Sequence, residues 1–140
     1  MLEYPAPKLL CYSRESAIAE KFEAMIKLGM LNSRMKDFFD IWLLSRQFNF
    51  SGVDLAEAIR LTFERRNNSI PATIEPFSEA FIKEKQIQWT AFLKKMQQSH
   101  VPSEFKKIVT HLNQFLTPVA QVSISDNPIN KHWVAPGPWK

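Results

Sequence analysis

Glycine is scarce in this chain: Gly29, Gly52 and Gly137 are the only three in 140 residues, and no two are neighbours. A loop that cradles phosphate needs clustered glycines so that backbone N–H groups can approach the anion, and no such cluster is present. Cysteine is scarcer still. Cys11 stands alone, which excludes an internal disulfide, and with His100, His111 and His132 scattered it offers no zinc-ligand spacing. No apolar run approaches the roughly 18 residues needed to span a bilayer. The opening "MLEYPAPKLL" has neither a basic n-region nor a long apolar h-region, so no secretory signal is expected and the expected location is soluble and cytoplasmic. The serines fall in no Gly-x-Ser-x-Gly setting. What is present is ordinary for one globular domain: 45% hydrophobic residues, 23% charged, and a formal charge of +4. That mild basicity suits an anionic partner without demanding one.

Periodicity predicts helices almost throughout. Pro5 and Pro7 keep "MLEYPAPKLLCY" extended, with "KLLCY" readable as a short strand or entry segment. Ser13 is a candidate N-cap with Glu15 in the first turn. "RESAIAEKFEAMIKLG" then repeats Ile18, Phe22, Met25 and Ile26 at helical spacing and stops at Gly29. "LNSRMKDFFDIWLLSRQFNF" predicts a second helix capped by Asn32 or Ser33. "SGVDLAEAIRLTFERRN" opens on Ser51 and Asp54, an acidic variant of the capping box, and predicts a third helix to about Arg66. A two-proline loop follows. A fourth helix carries Phe81, Ile82, Ile87, Trp89, Phe92, Leu93 and Met96 as its apolar set, and a fifth starts at Pro102–Ser103. After Pro118 the chain is expected to turn irregular, with "NKHWVAPGPWK" laid across a surface by its tryptophans. The expected fold is therefore all-α with about five helices, residues 1–117 forming a helical domain and 118–140 a tail.

The charges are less regular than the helices. Wound at about 100° per residue, the first helix places Glu20, Glu23 and Lys27 opposite its apolar face, toward solvent, while Lys21 falls on the flank near Ala17 and Met25. The second helix is apolar nearly all the way round, which marks it as buried. Asp37 projects with Ile41, Leu44 and Phe48; Asp40 lies nearer a narrow polar strip with Lys36 and Gln47. A buried carboxylate is costly unless paired, hydrogen-bonded or metal-bound. Two readings stay open: a structural ion cluster, in which Asp37 pairs with Arg34 or Lys21, or a pocket built to hold cation and anion. "FERRNN" and "FLKKMQQ" are basic patches that could meet a nucleic-acid backbone or simply be solvated helix ends. The three histidines receive no role, and the aromatic residues read as core.

At these residues the sequence resembles a known family. "YSRESAIAEKFEAMIKLGMLNSRMKDFFDIWLL" is similar to the later motifs of the AbiEii/AbiGii nucleotidyltransferase toxins, a Glu…Ala-Glu-Lys helix followed by an Arg-x-Lys-Asp-x-x-Asp helix. Glu15, Lys21, Arg34, Lys36, Asp37 and Asp40 match residue by residue, and the resemblance is strong over about residues 3–66. It implies a DNA-polymerase-beta-like enzyme with an α/β part bearing Gly-Ser and Asp-x-Asp, the latter holding two magnesium ions, followed by a helical part. Neither Gly-Ser nor Asp-x-Asp occurs in this chain.

The resemblance implies that Lys21, with Arg34 and Lys36, contacts the triphosphate of an NTP such as ATP, that Asp37 or Asp40 is the pocket carboxylate, and that Glu15 supports them. It gives no metal ligand here. Magnesium is expected only together with the part that carries Asp-x-Asp. The expectation is the helical C-terminal portion of a toxin–antitoxin nucleotidyltransferase, short or truncated and inactive alone, acting in its full form on an acceptor such as tRNA. Its expected partners are a cognate antitoxin or the missing catalytic half. The competing expectation is a non-catalytic helical module that binds one of those partners.

Overall fold

A computed structural model of the protein describes residues 13–31, 34–71, 73–97, 100–123 and 130–140. Among them are five helices: α1 (Arg14–Leu28), α2 (Met35–Gln47), α3 (Gly52–Arg65), α4 (Glu79–Met96) and α5 (Phe105–Ser123). Two dipeptides, β1 (Phe50–Ser51) and β2 (His132–Trp133), pair antiparallel with Phe50 opposite Trp133, and no other sheet occurs among the described residues. The chain is predominantly α-helical, as its periodicity predicts.

Local capping explains where the helices begin. The Ser13 side chain accepts from the Ser16 N–H at 3.1 Å, with Glu15 in the positive first turn. Ser51 does the same for the Asp54 N–H at 3.3 Å. α1 ends at Gly29, which adopts φ +52°, a conformation glycine tolerates without a Cβ penalty. α2 departs from expectation: Arg34 occupies its cap position and makes no side-chain capping bond, while Asn32 and Ser33 lie outside the described residues. Cys11 and the "KLLCY" segment lie outside them too.

α1 packs most extensively on α3, and α5 lies against α2, α3 and α4. An aromatic chain runs through the centre. Phe38 meets Phe81 at 5.8 Å and Phe105 at 5.3 Å, and Phe105 continues to Trp89 at 5.5 Å. Such pairs add about 0.5–1.5 kcal/mol beyond their buried area.

Three expectations are corrected by the packing. Ile87, assigned to the buried face of the fourth helix, is 80% exposed, while Lys85 two residues earlier is buried with its ammonium 3.4 Å from Glu84. α5 does not end before Pro118 but continues to Ser123. The proline lacks a helix donor and costs roughly 3 kcal/mol in a helix interior. Val119 and Ala120, both buried, continue the apolar face of Phe115 and Leu116 beyond it. Finally, the segment after residue 130 is more than a surface strap. Trp133 is 1% exposed, donates from Nε1 to the Ser45 carbonyl at 2.6 Å, and meets the Phe115 ring at 4.7 Å.

Candidate nucleotide pocket

α1 and α2 bring the sequence-predicted charges together. Lys21, 30% exposed, places Nζ 2.9 Å from Asp40 Oδ2 and 3.7 Å from Asp37 Oδ1. Arg34 Nε lies 3.3 Å from Asp37 Oδ2, and Lys36 Nζ lies 2.9 Å from Asp40 Oδ2. Both open pairings of Asp37, to Lys21 and to Arg34, therefore exist at once. The helical wheel also ranks the two aspartates correctly: Asp37 is 3% exposed and Asp40 is half-buried beside Lys36.

One atom in the cluster is not satisfied. Asp37 Oδ2 is buried and has no hydrogen-bond partner. Arg34 is close enough for charge attraction but not aligned to donate to it. A buried acceptor left without a donor costs about 1–3 kcal/mol. Beside it opens a pocket of about 360 Å³, lined by Ala17, Glu20, Lys21, Ala24, Arg34, Asp37 and Arg66. That volume falls at the small end of the roughly 300–1,000 Å³ typical of small-molecule sites. Three cations and two carboxylates around it suit a polyanion that also offers a hydrogen-bond donor. Lys36 and Asp40 stand outside that lining, as does Glu15 in the first turn of α1.

The cluster does not suit a divalent cation. Asp37 and Asp40 already face Lys21, Arg34 and Lys36, and among the described residues no three His, Cys, Asp or Glu side chains converge as ligands would.

The structure adds residues that the helical wheel misplaced. Glu20 is half-buried, and Glu23 is 1% exposed rather than solvated. Arg66 Nη1 donates to Glu23 Oε1 at 2.8 Å, and Asn68 Nδ2 donates to Oε2 at 3.0 Å. The "FERRNN" stretch is thus partly internal, with Arg66 lining the pocket. One signal could have found this. Ala19 is fully buried and lies one turn before Glu23 on the same face; a small residue is where another element comes close, and here that element is the end of α3.

His111, given no role from sequence, joins the interior beneath the β-strands. Its Nε2 is 2.7 Å from the Ser45 hydroxyl, and its ring meets the edge of Trp133 at 5.6 Å. Burial, and secondarily the nearby Arg46 charge, push the His111 imidazole below its ordinary value of 6.5.

The family description "Nucleotidyl transferase AbiEii toxin, Type IV TA system" matches residues 1–111. Comparison with curated proteins and with solved structures returned no match. No helix among the described residues is long and apolar enough to cross a membrane.

Proposed function

We propose a nucleotide-binding role for the Lys21 pocket on one premise: the chain belongs to the AbiEii nucleotidyl transferase toxin family, of the type IV toxin–antitoxin systems. Lys21 contacts the triphosphate of an NTP such as ATP. Its ammonium stands at the mouth of the pocket on a flexible stem, tethered by two carboxylates that fix its direction. Arg34 adds a second positive charge from the exposed rim, and Lys36 raises the local potential from behind Asp40. Asp37 holds Lys21 with Oδ1 and offers Oδ2 to a donor on the substrate, a ribose or acceptor hydroxyl. Glu15 supports the start of the helix that carries Lys21.

The observation that carries this reading is the buried Asp37 Oδ2, without a hydrogen bond, at a pocket where Lys21, Arg34 and Arg66 outnumber the carboxylates three to two. With only the misaligned Arg34 guanidinium beside it, that oxygen is open to a donor from a ligand. Nucleotide transfer releases pyrophosphate, so fixed positive charge along the triphosphate stabilises both the bound substrate and the departing group. Two-metal chemistry at the reacting phosphorus needs carboxylates of the Asp-x-Asp kind, which none of these 140 residues supplies. In this reading magnesium is held by another polypeptide segment, the present chain is inactive without it, and the helical domain, with α5 running past Pro118 to Ser123, docks there. The acceptor is an RNA such as tRNA, the protein partner is an antitoxin, and the setting is the cytoplasm.

A second reading rests on that same missing motif: a helical module that binds a catalytic half or an antitoxin and does no chemistry itself. The test is paired. Nucleotide binding is measured by calorimetry on this chain, and labelled-nucleotide incorporation into tRNA is measured with the Asp-x-Asp-bearing part supplied. Lys21→Met is expected to remove both signals while the circular dichroism spectrum stays helical. Full incorporation by Lys21→Met refutes the nucleotide role; nucleotide binding with no incorporation under any pairing favours the module.

A further inference from the structure

Resting on the nucleotide reading of the Lys21 pocket, we propose that Arg66 is a further phosphate-binding residue, that buried Glu23 is its positioning residue, and that Glu20 holds the place a substrate phosphate takes on Arg66.

The two carboxylates that Arg66 meets sit one turn apart on α1 in different surroundings. Glu23 is almost wholly buried and accepts from Arg66 Nη1 at 2.8 Å and from Asn68 at 3.0 Å. Glu20 is half-buried, and Arg66 Nη2 lies 3.5 Å from it; Arg65 is a further 3.7 Å neighbour of the same carboxylate. The short, enclosed pair is the anchor. The long, wetter pair is the one an anion can replace, because solvent already competes for it.

The backbone is shaped for this anchoring. Asn67 adopts φ +54°, in the left-handed region that asparagine tolerates better than most residues. The chain therefore reverses just after α3 and returns both Arg66 and Asn68 to Glu23. Three hydrogen bonds pin the turn: Arg66 N–H to the Thr62 carbonyl, Asn67 N–H to Glu64, and Asn68 N–H to Phe63. A guanidinium so held through Nη1 presents Nη2 in one orientation, ready for a charge-assisted bond to a phosphate oxygen.

A plain structural ion pair would close Arg66 in at both ends. Instead its side chain remains 40% exposed and lines the same pocket as Lys21, Arg34 and Asp37. Lys21 and Arg66 come from different elements, α1 and the turn after α3, so they approach the pocket from two directions. A chain of linked phosphates offers oxygens to both.

The probe is inorganic tripolyphosphate, titrated into the intact chain by calorimetry at fixed ionic strength, with a denaturant melt of each variant in the same buffer. Arg66→Met is expected to weaken binding by about tenfold or more, the scale of one lost charge-assisted hydrogen bond. Glu23→Gln should weaken it several-fold although Glu23 touches no ligand. Glu20→Gln should tighten it, since the competing carboxylate is gone; a structural role for these residues predicts no such gain. Because Arg66→Met leaves Glu23 buried without its counter-charge and could unfold the chain, the double variant Glu23→Gln/Arg66→Met keeps the question answerable. It should fold and bind no more weakly than Arg66→Met alone.

Wild-type affinity in that double variant, with affinity lost in Lys21→Met, overturns the assignment of Arg66 and leaves the nucleotide reading standing. Unchanged or weaker binding by Glu20→Gln overturns the place-holding role. A wild-type chain that binds neither tripolyphosphate nor NTP refutes the proposal and the nucleotide reading together.

Discussion

Asp37→Asn separates a site from a strut, because the geometry sets the two costs against each other. The substitution keeps the side chain's shape and removes one charge that is 3% exposed. It gives up the ion pair to Arg34 at 3.3 Å and the longer one to Lys21 at 3.7 Å. The Arg34 side chain is 60% exposed and that of Lys21 30%, so each pair is worth about 0.2–1 kcal/mol after solvent screening. Lys21 is not orphaned, since Asp40 remains 2.9 Å away. Against these losses stands the removal of a formal negative charge from an almost wholly buried side chain, about 1–3 kcal/mol. The two sides nearly cancel, so stability should stay within about 1 kcal/mol of wild type, a shift on the order of 3 °C in midpoint for a chain of this size. On the nucleotide reading, binding should fall by about tenfold or more, because the group proposed to direct Lys21 and to receive the substrate's donor has lost its charge. The assay is a urea melt beside a calorimetric titration with ATP. A loss above about 3 kcal/mol with ATP affinity unchanged would show that Asp37 is a structural hub and that the pocket is incidental.

Three further perturbations test the packing around the site. Trp133→Ala should cost about 3–5 kcal/mol in a denaturant melt, since it empties a fully buried ring and strands the Ser45 carbonyl; a cost under 1 kcal/mol would mean the terminal segment is not part of the core. Lys36→Ala should change stability by no more than about 0.5 kcal/mol, because its partner Asp40 keeps Lys21; a larger loss in the same melt would show that the exposed pair matters more than its geometry suggests. His111 is held below 6.5 by burial and Arg46, so between its folded value and 6.5 the unfolded chain binds the extra proton. Its contribution is therefore complete above pH 6.5 and declines as pH falls below it, and melts at pH 7.5 and 5.5 should show a smaller acid loss for His111→Gln than for wild type.

Several features were legible in the sequence because their causes span a single turn of chain. Ser13 and Ser51 cap because each hydroxyl reaches a backbone N–H three residues on. Asp37 is inward and Asp40 less so because a 3.6-residue period fixes their angle relative to Ile41 and Leu44. Lys21 on the edge of the α1 apolar face follows from the same period, and with it the meeting of Lys21, Arg34 and Asp37 could be expected. The family itself was readable for a related reason: its motif residues lie on two successive helices, close enough in sequence to be seen as one pattern.

Only the tertiary structure decided which remaining faces are covered. A helical wheel gives Glu23 an angle but does not say that the turn after α3 lies over that angle, so an apparently solvated glutamate becomes a buried anchor for Arg66 and Asn68. The same limit applies to Ile87, apolar yet 80% exposed because no described element covers it, and to Pro118, whose local penalty is outweighed by the buried face of α5. Trp133 is set by contacts to Ser45 and Phe115, the first of them 88 residues away in the chain. Periodicity fixes direction within an element, because direction is a property of backbone geometry. Burial is a property of pairs of elements distant in sequence, and it exists only once the chain has closed on itself.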